Sequence, residues 1–336
     1  MRAHLAARGF DEVETPCLVP APGMEPHIQA FETAFVPEAG VPRAGGGGTS
    51  AARPLWLHSS PEYAMKRLLA DGFDRIFQFA RVFRNGEISS THNPEFTMLE
   101  MYRAGTDHRG IMEDLEQAVE AGARALHPGG GTQLLWRAHS VDFAAPFDRL
   151  PVAAAFARAG VNLEGCGEDA RKLRAAAMAR GLDGGPEGER FDDVFFRIFL
   201  HAVEPTLGHS RPVYLTDWPA SMAALARIRR DDPRWAERFE LYAAGLELAN
   251  GFSELNDAAE QRRRLLAEQQ DRRRLSRPVY PLDERFLAAV GRMPDAGGVA
   301  LGLDRLLMLL TGAQRIQDVL LFPAEEFLRE PGAPGT

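Results

Sequence analysis

The sequence predicts an α+β fold in which a mainly antiparallel sheet is flanked by helices on one side. Two segments, residues 77–83 and 95–102, alternate apolar and polar residues, as strands with one buried face do. The loop between them, residues 84–94, contains the turn-forming pairs Asn-Gly and Asn-Pro, so we expect an antiparallel pair of strands. In residues 110–126 apolar side chains recur at helical spacing, which predicts a surface helix with an apolar stripe.

The remaining elements follow from the same patterns, taken in chain order. Residues 1–9 are typical of the last turns of a helix, and a strand follows from Phe10 to Pro16. The segment from Leu55 begins as a strand and becomes a helix near Pro61. Later patterns predict helices at 151–160, 169–180, 191–204 and 260–275, a strand at 213–217, and a loop after Pro323.

We expect a single domain, because no internal repeat and no long linker divides the chain. Its predicted bounds are residues 1–325, followed by a C-terminal tail at 326–336. Residues 37–53 contain four consecutive glycines and no periodic apolar face, which predicts a flexible surface insertion between two strands. The helices between residues 126 and 208 should pack beside the sheet rather than form a separate unit.

Composition indicates an ordinary water-soluble protein. The 336 residues are 45% hydrophobic and 26% charged, and no run of eighteen apolar residues suggests a membrane span. The N-terminus lacks the apolar segment of a signal peptide, and the two cysteines, Cys17 and Cys166, fit no metal-binding spacing. We therefore expect a reducing, cytoplasmic location. The formal net charge of -8 points away from nucleic acid, although local basic patches can exist within a negative total.

One face of the central strand pair carries an unusual set of side chains. A period of two places Phe96, Met98, Glu100 and Tyr102 on one face, and Arg84 continues the matching face of the other strand. An internal salt bridge would be the simplest explanation for these polar groups. A functional explanation requires a second, distant segment of the same character.

Such segments exist, and they resemble a known family in which the polar residues of this face bind substrates. Residues 241–256 resemble the strand that binds ATP and metal in class II aminoacyl-tRNA synthetases of the lysyl type. Residues 297–310 resemble the strand and helix of motif 3 of that class, and Phe83-Arg84 with residues 92–96 resembles motif 2. The first strand and helix resemble motif 1, which builds the dimer interface. Three motifs in the right order imply the class II catalytic domain.

The resemblance implies an ATP site with two catalytic arginines. Arg84 would bridge the substrate carboxylate and the α-phosphate, and Arg305 would pack on adenine and reach the γ-phosphate. Phe96 would cover the other face of the base. The usual motif 2 glutamate is displaced by one position here, so Glu87 is expected to contact adenine through a shifted loop. The other residues that the resemblance places at ATP are Asn93, Glu247, Leu248 and Gly302.

A magnesium site is expected from Glu247 and Glu254. These residues lie seven apart, so a regular strand would place them on opposite faces, and a bulge at Gly251 would return them to one side. Carboxylate oxygens together with ATP phosphates suit Mg²⁺. The alternative is two surface carboxylates on a strand.

The resemblance also implies a pocket for a lysine-like amino acid. Glu100, Tyr102 and Glu254 would receive its side-chain ammonium, because a buried group of carboxylates requires a cationic ligand. Asn250 and Phe252 would complete that wall. The methyl group of Ala300 replaces a glycine of the synthetases and predicts a preference for a differently placed amino group.

A second part of this pocket is expected at the start of the predicted helix. The resemblance gives Ser60, Pro61 and Glu62 the task of holding the amino end of the substrate. The alternative is purely structural: Ser60 caps the helix, Pro61 occupies its first position and Glu62 complements its dipole.

The given sequence opens on motif 1, so we expect no oligonucleotide-binding barrel of the kind that precedes the catalytic domain in lysyl-tRNA synthetases. It thus resembles the elongation factor P lysine ligases over nearly its whole length. Membership implies activation of (R)-β-lysine with ATP and Mg²⁺, transfer to a lysine of elongation factor P, and a homodimer, without a role for tRNA. Two alternatives stay open: a truncated lysyl-tRNA synthetase that charges tRNA, and a non-catalytic regulatory paralogue.

Two arginine triplets in the predicted helix 260–275 also permit two interpretations. Residues 262–264 and 272–274 are arginines throughout. They form either the solvated face of a helix or a docking site for an acidic partner.

Overall fold

An eight-stranded sheet forms the centre of the protein, whose computed structural model describes residues 1–37, 52–127 and 129–328. The strand order is β1-β5-β6-β13-β12-β11-β10-β9. All neighbours pair antiparallel except the two edge pairs, β1 with β5 and β9 with β10, which are parallel. The predicted α+β class with a mainly antiparallel sheet is therefore confirmed.

The thirteen strands of the described residues include five outside the large sheet. Strands β2, β4 and β3 form a small three-stranded sheet, and β7 pairs with β8. The strands are β1 Asp11–Glu12, β2 Leu18–Val19, β3 Phe31–Phe35, β4 Arg53–Leu57, β5 Arg75–Phe83, β6 Glu95–Ala104, β7 Gln133–Trp136, β8 His139–Asp142, β9 Asp148–Pro151, β10 Val213–Pro219, β11 Trp235–Ala243, β12 Leu246–Ser253 and β13 Ala296–Gly302.

Eleven α-helices connect and cover these strands within the described ranges. Helix α7 continues into a π-helical segment, Phe199–Val203, and a short 3₁₀ turn, Glu204–Thr206. The α-helices are α1 Arg2–Ala7, α2 Glu62–Ala70, α3 His108–Leu126, α4 Val152–Arg158, α5 Leu163–Cys166, α6 Ala170–Met178, α7 Phe191–Ile198, α8 Ala258–Arg274, α9 Glu284–Val290, α10 Leu303–Thr311 and α11 Ala324–Leu328.

The main hydrophobic core lies between one face of the sheet and helices α3 and α10. The apolar stripe predicted for residues 110–126 packs there, with Ile111, Leu115 and Val119 fully buried. Gly297 of β13 allows this close packing, because a Cβ at that position would lie 2.5 Å from the backbone oxygen of Asp107 at the start of α3. Helices α2 and α9 cover part of the opposite face, so the expectation of helices on one side only is wrong. The rest of that face is available for polar side chains.

A second core joins the middle of the chain to the far end of the sheet. Helices α4 and α7 bury Phe156 and Phe195 against Trp218 and Tyr242 of β10 and β11, and α6 adds Leu173 to this core. Strand β9 continues the large sheet through its pairing with β10. The segment between residues 126 and 208 thus packs on the sheet, as the pattern predicts.

Several expected elements differ in extent from the structure. The strand expected from Phe10 to Pro16 contributes only Asp11 and Glu12 to the sheet, because the chain leaves β5 after two paired residues. The loop expected after Pro323 is wrong for its first part, which forms α11, and the amide N–H of Ala324 donates to Asn93 Oδ1 at 2.9 Å. Helix α2 begins at Glu62, with Pro61 at the cap position rather than inside the helix.

The predicted insertion at 37–53 lies mostly outside the described residues. Strand β4 begins at Arg53, so that residue belongs to the sheet and not to the insertion. The bounds expected for the domain and its tail stay a prediction. Over the described ranges, no helix is both long enough and apolar enough to cross a bilayer.

Candidate active site

The face of the large sheet opposite α3 and α10 brings the predicted polar residues into two rows. In the first row, Glu100 of β6 lies beside Ala300 of β13, followed by Asn250 of β12 and Glu240 of β11. These positions are direct partners in the strand register, so their side chains emerge from one face as neighbours. Segments far apart in the sequence therefore meet on one surface.

The second row lies one step along the strands, toward the ammonium end of the predicted pocket. Tyr102 of β6 neighbours Gly298 of β13, which neighbours Phe252 and then Arg238. Gly298 is required here, because a Cβ would lie 2.1 Å from Glu254 Oε1 and 2.4 Å from the Tyr102 ring. The missing side chain lets Tyr102 and Glu254 approach each other across β13.

Among the residues that the structure describes, Glu254 has a carboxylate oxygen without a hydrogen-bond partner. Its side chain is 0% exposed, and Oε2 pairs with Lys66 Nζ at 2.6 Å, but Oε1 receives no hydrogen bond. A buried carboxylate oxygen without a donor is costly, on the order of 1–3 kcal/mol or more for a charged group. A ligand ammonium is the group that would satisfy it.

Glu100 is held in place from two sides. Tyr102 donates its hydroxyl hydrogen to Glu100 Oε2 at 2.7 Å, and Ser60 donates to Oε1. Burial, and next the charge of Glu62, raises the pKa of Glu100 to about 8. Burial also raises the pKa of Glu254, against the opposing charge of Lys66. This end of the site therefore holds carboxyl groups that favour a cationic ligand.

The segment Ser60-Pro61-Glu62 lies next to these carboxylates. The Ser60 hydroxyl accepts a hydrogen bond from the Glu62 backbone N–H at 3.0 Å, but Pro61 and not Ser60 occupies the N-cap position of α2, so the predicted cap residue is wrong by one position. Glu62 also forms an ion pair with Lys66, 2.5 Å from Oε1 to Nζ, and lines a cavity of about 480 Å³ together with Asn250 and Phe252. The serine and the glutamate thus serve the helix and face the cleft at the same time.

Arg84 and Phe96 lie together at the other end of the cleft. The Arg84 guanidinium carbon is 5.2 Å from the Phe96 ring centroid, and its Nε is buried and has no hydrogen-bond partner in the described part of the chain. Glu87 lies within ion-pair distance at 3.9 Å. Arg84 therefore pairs with Glu87 and not with Glu100, which excludes the internal salt bridge considered above. Its unpartnered N–H fits an anionic ligand.

Arg305 is fixed by three hydrogen bonds at the first turn of α10. It donates to the carbonyl oxygens of Thr91 at 3.1 Å and Glu247 at 2.9 Å, and to His92 Nε2. Burial, then the charges of Arg305 and Arg84, lowers the pKa of His92 to about 4, so the ring is neutral and accepts this bond. His92 thus lies within electrostatic reach of both arginines.

The structure separates the two residues predicted to share a metal. Glu247 and Glu254 do face the same side of β12. A bulge places them there, but its extra residue is Leu248, between the partners of Leu241 and Tyr242. Gly251 pairs regularly with both neighbouring strands. Seven residues of strand span about 20 Å, too far for one ion. The predicted Glu247–Glu254 metal pair is therefore wrong, as is the bulge at Gly251.

Glu247 instead has acidic neighbours at the arginine end of the cleft. Burial is the main reason that the pKa of Glu240 is raised, and the charge of Glu247 adds to it. Burial, and next the charge of Glu247, also raises the pKa of Glu204 to about 7. Glu247 Oε2 is 3.9 Å from Arg305 Nη1. Within the described ranges, no group of three or more His, Cys, Asp or Glu side chains is arranged to hold a metal by itself. A metal at this point would need ligands from a substrate as well.

Two residues predicted at ATP have other tasks. The Asn93 amide donates to the Glu95 carbonyl at 2.6 Å and accepts from Ala324 N–H, so it fastens the start of α11. Leu248 is 2% exposed and points into the core on the other side of the sheet, so its side chain cannot contact a nucleotide. Gly302, in contrast, ends β13 next to Arg305, and a Cβ there would meet only atoms at 3.7 Å or beyond.

Sequence analysis missed several residues of this cleft. Arg238 donates to Glu240 Oε1 at 2.6 Å and to Asn250 Oδ1 at 3.1 Å, and so orders the first row. Lys66 is 1% exposed although the spacing of Glu62 and Lys66 is that of an ordinary surface ion pair on a helix. The available signal for Arg238 and Glu240 was their alternation with Tyr242, which continues the recognised segment 241–256 toward the N-terminus.

Comparisons with known proteins agree with this geometry. The family model described as tRNA synthetases class II (D, K and N) matches residues 1–326. The chain belongs to this class II synthetase family. Its curated relatives include the elongation factor P–(R)-β-lysine ligase of Salmonella arizonae, which is 40% identical over 329 residues, covering 97% of this chain and 92% of the relative. The expected family is confirmed.

Two further relatives of this class II protein carry the same name. The protein of Proteus mirabilis is 40% identical over 325 residues, covering 96% of this chain and 91% of the relative. That of Hamiltonella defensa is 37% identical over 327 residues, covering 97% and 92%. The similarity spans all elements of the cleft.

Proposed function

We propose that this class II protein activates (R)-β-lysine, or a closely related diamino acid, with ATP and transfers it to a lysine side chain of elongation factor P. The observation that carries the proposal is the division of one cleft into two ends. One end holds Arg84 and Arg305, and the other holds Glu254 with an unpartnered, fully buried oxygen. The names of the relatives support the choice of substrate and acceptor.

In the first step, a substrate carboxylate oxygen attacks the α-phosphorus of ATP, and the bond to the bridging oxygen of the β-phosphate breaks. Arg84 is placed to bridge the carboxylate and the α-phosphate, which stabilises the charge that develops between them. Arg305, immobilised by Thr91, Glu247 and His92, is placed to bind the leaving pyrophosphate. Rigid donors cost little reorganisation during the reaction.

In the second step, the amine of an acceptor lysine attacks the carbonyl carbon of the adenylate. The bond from that carbon to the AMP oxygen breaks, and the amine proton passes to solvent. The two ends of the cleft hold the adenylate during this exchange: the arginines hold AMP, and Glu100, Tyr102 and Glu254 hold the far ammonium. The products are AMP and an amide.

Magnesium fits the arginine end rather than the ammonium end. Glu247 offers a carboxylate that is 40% exposed, and Glu240 lies beside it on the neighbouring strand. Mg²⁺ prefers one or two carboxylates together with phosphate oxygens and waters, and when bound would neutralise phosphate charge. We therefore propose Glu240 and Glu247 as its protein ligands.

A homodimer through the motif 1 elements is also proposed. Helix α1 packs on α3, and β1 forms an edge of the large sheet, so a surface with unpaired strand groups is present for a second copy. Static light scattering measures the oligomeric state directly.

The free cysteines Cys17 and Cys166 fit a reducing cytoplasm, which also supplies ATP.

The transfer experiment decides between elongation factor P and tRNA as acceptor. The protein is incubated with ATP, Mg²⁺ and (R)-β-lysine, and with either elongation factor P or tRNA bearing a lysine anticodon. We expect the intact mass of elongation factor P to increase by one β-lysyl residue, with no aminoacylation of tRNA. Charging of tRNA without modification of elongation factor P would overturn the proposal in favour of a truncated lysyl-tRNA synthetase.

A further inference from the structure

The ammonium end of the cleft already contains one cation, Lys66 of α2. Its Nζ lies 2.5 Å from Glu62 Oε1 and 2.6 Å from Glu254 Oε2, and its side chain is 1% exposed. Glu62 begins α2, whereas Glu254 follows β12 on the sheet. Lys66 is therefore the bridge between the two elements that form opposite walls of the pocket.

Aromatic rings close the remaining directions around this ammonium. Nζ lies 5.0 Å from the Phe252 ring centroid and 5.9 Å from that of Phe286, and Tyr63 stacks on Phe286 at 4.0 Å. A cation over aromatic faces in a dry site is stabilised by up to about 2 kcal/mol. Lys66 is thus built into the pocket wall by packing on two sides, so it does not behave as a surface lysine that happens to reach inward.

Lys66 stays charged in these surroundings. Burial lowers its pKa, but the adjacent Glu254 and Glu62 outweigh burial and raise the pKa above its usual value. A permanently charged ammonium is neither a nucleophile nor a base, so Lys66 does not perform the chemical step.

A charge count shows what Lys66 does for the ligand. The carboxyl groups that act on it are those of Glu62 and Glu254, in contact, and of Glu100, whose pKa Lys66 lowers against burial. Once a cationic ligand has displaced any proton held by Glu100 and Glu254, three carboxylates and one ammonium leave two negative charges for the ligand to balance. Glu25 and Glu268 line the neighbouring cavity together with Glu62, and their pKa values are raised mainly by burial and next by acidic neighbours that include Glu62. The inner pocket therefore matches a ligand with two ammonium groups.

We infer that Lys66 is a positioning residue that holds Glu62 and Glu254 at a fixed separation and balances the pocket for a ligand with two ammonium groups. This inference rests on the proposed function, since it concerns the amino acid that would be activated. It predicts that Lys66 acts on binding of the diamino acid and not on ATP. It also predicts that any small primary ammonium in the same place restores part of the effect.

The test measures binding and turnover separately in four variants of the full chain. Lys66→Met keeps side-chain length without charge, Lys66→Arg keeps charge, and Lys66→Ala leaves space for an added amine. Arg67→Met removes the next, exposed cation of α2 and is the matched control. Binding of (R)-β-lysine is measured by titration calorimetry, and ATP–pyrophosphate exchange gives KM and kcat for each substrate.

We expect Lys66→Met to weaken binding of (R)-β-lysine roughly tenfold or more, because Glu62 and Glu254 would lose the cation that holds their carboxylates in place and would move apart or take up protons. The KM for ATP should stay within about twofold of the unchanged protein, as for Arg67→Met. Lys66→Arg should retain most of the affinity. Propylammonium should restore binding in Lys66→Ala in a concentration-dependent manner and leave Arg67→Met unaffected.

Three results would overturn the inference. Tighter binding in Lys66→Met would show that Lys66 competes with the ligand, and equal effects of Lys66→Met and Arg67→Met would show that it has no role. A folded Lys66→Ala variant that propylammonium does not rescue would reduce Lys66 to packing. If the unchanged protein binds the diamino acid but shows no pyrophosphate exchange, the proposed function fails while the binding data still decide the role of Lys66.

Discussion

Replacing Glu254 and Glu247 by glutamine should damage opposite ends of the cleft. Glu254→Gln keeps the shape of a side chain that is 0% exposed but removes the charge that the buried Oε1 offers to a ligand ammonium. Truncating one partner of a buried, hydrogen-bonded charge pair costs about 2–4 kcal/mol, which corresponds to a roughly 30- to 900-fold loss of affinity. The loss should appear in the KM for (R)-β-lysine, with the KM for ATP unchanged.

Glu247→Gln is the matched comparison, since the same carboxylate is removed from the same face of β12. Its side chain is 40% exposed and lies beside Arg305, about 20 Å along the strand from Glu254. We expect a higher Mg²⁺ concentration for half-maximal exchange and a KM for (R)-β-lysine within about twofold of the unchanged protein.

The assay is ATP–pyrophosphate exchange over a matrix of amino-acid, ATP and Mg²⁺ concentrations. Circular dichroism establishes that both variants are folded. The reasoning would be refuted if Glu254→Gln raised the Mg²⁺ requirement as Glu247→Gln does, because the two residues would then serve one metal after all.

Three further predictions test other contacts of the site. His92→Ala should lower kcat for exchange about tenfold with little change in the KM for (R)-β-lysine, because it releases Arg305 at the phosphate end. Rapid-quench experiments measure the rate of adenylate formation, and an unaltered rate would contradict this prediction. Ala300→Gly should shift the ratio of kcat/KM for α-lysine over β-lysine by about 1–3 kcal/mol toward α-lysine, and an unchanged ratio in paired exchange assays would exclude the methyl group as a determinant. Binding of (R)-β-lysine should weaken as the pH falls from 8 to 6, because the raised pKa of Glu100 leaves its carboxyl group increasingly protonated over this range. Calorimetry in buffers of different ionisation enthalpy should detect proton release on binding. Binding that does not depend on pH and releases no proton would contradict this prediction.

The fold could be predicted because its patterns are local. Alternation in residues 77–83 and 95–102 depends only on which face of a strand is buried, and the structure pairs these strands in the expected register. Helix α11 was missed because its only buried residue, Ala324, gives no periodic pattern; it forms against Asn93, which lies far away in the sequence.

The site could be predicted less completely, for reasons that concern tertiary packing. The bulge at Leu248 arises from the pairing of β12 with β11, and nothing in the residue itself marks it, whereas Gly251 looked like the better candidate. Lys66 follows Glu62 by four positions, a spacing typical of exposed helical pairs, and only the packing of α2 against β12 and α9 reveals its burial.

The arginine triplets of α8 show the reverse case, in which the simpler interpretation is supported. Arg262 pairs with Glu284, and Arg263 and Arg264 pair with Glu260. Arg272 is fully buried and donates to the backbone carbonyls of Glu25, Ile28 and Pro278, which fixes the loop before β3. These contacts give most of the triplet residues structural partners, so charge runs alone overstate the case for a docking site.

The central claim is that one cleft binds phosphates at its arginine end and a substrate ammonium at its carboxylate end. Pyrophosphate exchange with amino acids that differ only at the far end tests it most directly, with 3-aminohexanoate as the analogue of β-lysine that lacks the terminal amino group. The account predicts robust exchange with (R)-β-lysine and a loss of at least roughly a hundredfold in kcat/KM with the analogue, since the carboxylates around Glu254 would then be left without their cation. Equal exchange with both compounds would contradict it.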